Sequence, residues 1–140
     1  MRKYRKAVIA AVLALLLTGG FLLQDSLVRL YVLLNDSSLD RFAQDALAGV
    51  EDQISTQYGR WDTAVWKENG IVEFCTQRSF AFGGIEKGFY YSKDDTPISF
   101  QATGYPLVED GGGWTWTDPT GNHGYTKRIR PCWFWYEAVL

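Results

Sequence analysis

Aromatic side chains make up 16% of this 140-residue chain and lie mostly beyond residue 57, too apolar a composition for a disordered tail. Four of the 14 Lys and Arg precede residue 7 while none of the 16 Asp and Glu do, so the remainder is acidic and offers no surface for nucleic acid. No histidine or cysteine spacing marks a metal site, and no motif implies a cofactor.

Residues 1–6 form a short basic tail with Arg2, Lys3, Arg5 and Lys6. Behind it Ala7–Leu23 runs without a charged side chain. As a helix it would span roughly 25 Å at about 1.5 Å per residue, enough to make the lipid bilayer its partner. Gln24, Asp25 and Ser26 interrupt the run, but Leu27, Val28, Leu30 and Tyr31–Leu34 resume it, so residues 7–34 are expected as a transmembrane and juxtamembrane helix. Arg29 and Tyr31 suit the interface. The positive-inside rule then keeps the tail in the cytoplasm and places residues 35–140 outside, as one extracytoplasmic domain. A cleaved signal peptide and a buried helix are the competing readings. Thr18-Gly19-Gly20 makes a poor cleavage site and no lipoprotein cysteine follows, so an uncleaved signal-anchor is the expectation.

Asn35 reads as a break. Ser37 with Asp40 approximates a capping box, and Leu39, Phe42, Ala43, Ala46 and Leu47 form the stripe of an amphipathic helix ending near Gly49. Val50–Tyr58 is ambiguous between a helical turn and a loop. From Arg60 the period becomes two: Arg60–Lys67 and Ile71–Arg78 flank Glu68-Asn69-Gly70, a strong hairpin signal. Val72, Phe74 and Thr76 should share one face, with Ile71, Glu73, Cys75 and Gln77 on the other. Further strands are expected at Gly88–Ser92, Tyr105–Glu109, Gly113–Thr117, Tyr125–Arg130 and Cys132–Val139, with Phe80–Lys87 a loop or edge. The fold class is α+β: the short amphipathic helix packed on a small antiparallel meander.

Cys75 and Cys132 are the only cysteines, and in an oxidising compartment they are expected to pair. Closing that loop would be worth about 4 kcal/mol. Two separate core thiols are the alternative, and the alternation of Cys75 with Glu73 and Gln77 leans against it. Trp114 with Trp116, and Trp133 with Trp135, each share a strand face and form candidate rows for stacking on cell-wall glycan; core packing is the competing account. Lys127, Arg128 and Arg130 could meet an anionic polymer or serve as ion-pair partners. His123 stands in a turn without a recognisable nucleophile motif, so no catalytic residue is assigned and no enzyme is expected.

The segments Gly88–Asp95 (GFYYSKDD), Gly113–Asp118 (GWTWTD) and Gly121–Ile129 (GNHGYTKRI), behind an anchor and a short helix, resemble a group of small single-pass membrane proteins of Gram-positive gut bacteria. The resemblance implies localisation and architecture and carries over no active-site residue. Type IV pilin subunits also join an apolar helix to a sheet, but their processing glycine precedes the apolar run, whereas Gly20 ends it here. The expected role is a membrane-anchored binding or interaction module. Its partner would be a glycan or, if it is an accessory subunit, another membrane protein.

Overall fold

A computed structural model of the protein describes residues 9, 11, 24–49, 54–80 and 83–140. The basic tail lies outside the described residues, and so does the expected anchor Ala7–Leu23 apart from Ile9 and Ala11. Among the described residues no helix is long and apolar enough to cross a membrane.

The fold is α+β. Helix α1 (residues 24–34) and helix α2 (Asp36–Ala48) meet at Asn35, whose side-chain amide donates back to the Tyr31 carbonyl at 2.9 Å. Residues 24–34, expected as a juxtamembrane stretch, are part of the packed domain. Their Val28 and Val32 are buried with Leu39 and Ala43 of α2 against the sheet, at the 3.6-residue spacing that gives a helix one packing face. Ser37 and Asp40 form no capping box: the Asp40 carboxylate accepts from Trp133 Nε1 at 2.7 Å and from Arg130 at 2.9 Å.

Eight strands follow: β1 (Ile54–Tyr58), β2 (Trp61–Trp66), β3 (Ile71–Ser79), β4 (Ile85–Ser92), β5 (Val108–Asp110), β6 (Gly113–Thr117), β7 (His123–Arg130) and β8 (Trp133–Val139). They form one antiparallel sheet in the order β1-β2-β3-β4-β8-β7-β6-β5. The expected single meander is thus two four-strand meanders joined through β4 and β8. Asn69-Gly70 turns β2 into β3, with Gly70 at φ +67° and its N–H on the Lys67 carbonyl at 3.0 Å.

The connection from β4 to β5, residues 93–107, is long enough to act as a lid over the sheet face opposite the helices. Phe100, Ile98, Tyr105 and Leu107 pack there against Trp116, Phe134 and Tyr136. Its short 3-10 turn, Phe100–Ala102, holds Gln101 and Ala102 both at φ 52°, a left-handed conformation that non-glycine residues adopt at a cost. The sheet therefore has two aromatic cores: Phe74, Phe89, Trp133 and Trp135 under the helices, and Tyr90, Phe134 and Tyr136 under the lid.

Candidate functional site

The expected disulfide is not formed, and both cysteines are free thiols. Strand register gives the reason. Cys75 lies opposite Gly88, whereas the Cys132 carbonyl accepts from the N–H of Ser92, four residues further along β4. At about 3.3 Å per residue that offset is roughly 13 Å, twice what a disulfide spans between Cα atoms. Cys75 also faces the lid side, while Cys132 packs against the helix-side core. Cys132 occupies the second corner of a tight turn after Pro131, at φ 66°, and its N–H donates to Asp95 at 2.6 Å.

The tryptophans form no exposed row. Trp133 and Trp135 are 0% and 6% exposed under the helices, and Trp116 is 4% exposed under the lid with Trp114 half-buried beside it. Arg29, expected at a membrane interface, is half-buried with its guanidinium 5.0 Å from the Trp135 ring centre. The basic run is used internally: Arg128 pairs with Asp95 and Arg130 with Asp40. His123 is exposed at the start of β7, its Nδ1 3.2 Å from the Gly121 carbonyl oxygen, and does not line the cleft described next.

Beyond the edge of the lid, β2, β3 and β4 leave a cleft of about 450 Å³. Its lining includes Asp62, Trp66, Glu73, Cys75, Arg78, Glu86 and Gln101. Alternation along β3 brings Glu73 and Cys75 to this face, and a bulge between Cys75 and Gln77 adds the next side chain. Without the bulge Arg78 would point to the helix side. With it, Arg78 lies opposite Glu86 and its Nε donates to that carboxylate at 2.8 Å. Sequence parity therefore named Gln77 where the structure puts Arg78.

Glu73 and Glu86 are each 4% exposed, and the Tyr136 hydroxyl stands between them, 3.4 Å from Glu73 and 3.1 Å from Glu86. Gly88 makes room for this arrangement, since a Cβ there would lie 2.9 Å from the Tyr136 ring and 1.9 Å from the Phe74 carbonyl oxygen. Burial, reinforced by the charge of Glu86, pushes the Glu73 carboxyl up to about 8, despite a hydrogen bond from the Gln101 backbone. Glu73 is then largely protonated at neutral pH. It can donate to the tyrosine, the tyrosine to Glu86, and Glu86 is held by Arg78, whose guanidinium is raised chiefly by that hydrogen bond.

Burial and the same carboxylate also push the Cys75 thiol up to about 12, which makes it a poor nucleophile. The arrangement can bind a polar or cationic group and exchange a proton as it does so. Glu73, Glu86 and Trp66 were not legible as a site because they lie on three strands, and only register brings them together. Among the described residues no cluster of ligating side chains suits a metal. Comparison with known proteins adds no relative: no family model, no curated protein and no solved structure matches the chain.

Proposed function

We propose that the protein is a membrane-anchored binding module, held by Ala7–Leu23 with residues 35–140 outside, which takes a hydrogen-bond-donating or cationic ligand into the Glu73–Glu86 cleft. The carrying observation is the pair of buried carboxyls on the floor of an open cleft. Folding gains nothing from them, because buried ionisable groups cost stability unless fully paired, and only Glu86 has a cation. A strongly perturbed acid in a cleft, with a specific charge partner beside it, is a candidate functional group. The reading is of binding, and the raised pKa of the Cys75 thiol there suits it poorly to nucleophilic attack.

Trp66 at the cleft supplies the test. The full chain is titrated with short lysine peptides and, separately, with cell-wall fragments, and tryptophan emission is followed in the wild type, Trp66→Phe and Glu73→Gln. The expected result is a saturable change for the lysine peptides that Trp66→Phe abolishes. Because a cation binds the ionised carboxyl better, affinity should rise with pH toward about 8 in the wild type and stay flat in Glu73→Gln. No change with either probe would sink the cleft as a site. A change that survives Trp66→Phe would move the site elsewhere.

A further inference from the structure

Helix α1 turns Val28 and Val32 to the sheet, and on its opposite side Leu27, Leu30 and Leu34 are 55%, 48% and 72% exposed. At 100° per residue these three centre about 30° from the line directly across the helix from the packed face, and Leu33, 49% exposed, lies on the other side of that line. Their spacing of three and then four is the a/d alternation of a coiled coil, and the positions beside them on α1, Gln24, Ser26, Tyr31 and Leu33, carry no charge. The same register continues backwards in the sequence through Leu23, Gly20, Leu16 and Leu13. We infer that this face is a homodimer seam, on which α1 of a second copy lies parallel along Leu27, Leu30 and Leu34.

The seam is self-complementary, as a two-fold interface must be, and contains no charge to repel an identical neighbour. A membrane surface fits it less well. The face extends about 16 Å along the helix beyond the apolar run, so lipid at the end of that run would cover only the first turn. Three leucines per chain are too few to hold two soluble helices together. Two anchors in one membrane would supply the rest, by confining the chains in the same orientation. The seam therefore rests on the anchored reading, which supplies both its strength and its parallel sense.

The full chain purified in mild detergent is expected to have the mass of a dimer. Leu30→Glu should weaken dimerisation at least tenfold with tryptophan emission unchanged, because Leu30 is 48% exposed on the side of α1 away from Val28 and Val32. Phe80→Glu, at another exposed apolar residue, should leave the dimer intact. A monomeric wild type, a larger assembly, or a dimer indifferent to Leu30→Glu would each overturn the inference. Fractionation of cells separates the two readings: release by alkaline carbonate would refute the anchor and the seam with it, whereas a carbonate-resistant chain that is monomeric in detergent would refute the seam alone.

Discussion

The two faces of the sheet are both aromatic, but they treat charge in opposite ways. Under the helices, polar contacts stay at the margins: Asp40 ties Trp133 and Arg130 at one end, and Lys87 meets Asp25 and Glu137 at the other. The centre there is Phe74 stacked on Phe89, with Trp133 tilted against both. Under the lid, two carboxyls and a tyrosine hydroxyl are buried beside an open cleft. Regular helices can tile a flat apolar surface, whereas an irregular lid held by a left-handed turn stops short and leaves a gap. One face is closed over an apolar centre, and the other leaves buried carboxyls beside an open cleft.

The largest effect should come from breaking the stable face. Trp133→Ala removes a fully buried indole and the partner of Asp40, and should cost about 4 kcal/mol in chemical denaturation. A loss below about 1 kcal/mol would mean that this face is not the main core.

On the lid face a substitution should stabilise. The folded Glu73 carboxyl is raised to about 8 from an ordinary 4.5, so between those values the folded chain keeps a proton that the unfolded chain releases. That contribution is complete below the lower value and is lost as pH rises through the upper one. Between about pH 5.5 and about pH 7.5 it should remove about 3 kcal/mol, at 1.36 kcal/mol per unit. Glu73→Gln should abolish this slope and be the more stable protein at the upper pH. Parallel pH profiles for the two proteins would show that Glu73 is not the buried acid described.

The thiols give the smallest effect and sharpen the contrast between the faces. Denatured without reductant, each chain should react with two equivalents of a thiol label, since neither cysteine is bridged. In the folded chain at mild alkaline pH both should react slowly, because burial raises each thiol. A denatured, unreduced chain that takes up no label would restore the disulfide.

Local signals were legible where one residue decides one conformation. Asn69-Gly70 turns β2 into β3, Asn35 breaks the helices, and Gly113–Thr117 forms a strand with the expected bounds. Leu39 and Ala43 are buried as their spacing required. β1 was hidden because it is polar and pairs on one edge only. The β3 bulge was hidden because a single inserted residue leaves composition unchanged while moving Arg78 to the other face. The cysteine pairing and the carboxyl pair failed and escaped notice for a common reason: each depends on which residues stand opposite across β3 and β4, and alternation within one strand says nothing of that.

β8 is the last strand in sequence and lies at the middle of the sheet. Until it is inserted, β4 is an edge, and Phe89, Tyr90 and Tyr91 stand beside an open row of backbone donors and acceptors. The first meander can form early, but the second is incomplete and the two cannot join without this strand, so the chain passes through a stage in which an aromatic edge invites pairing with other molecules. A truncation that removes only β8 should therefore aggregate instead of yielding a smaller domain.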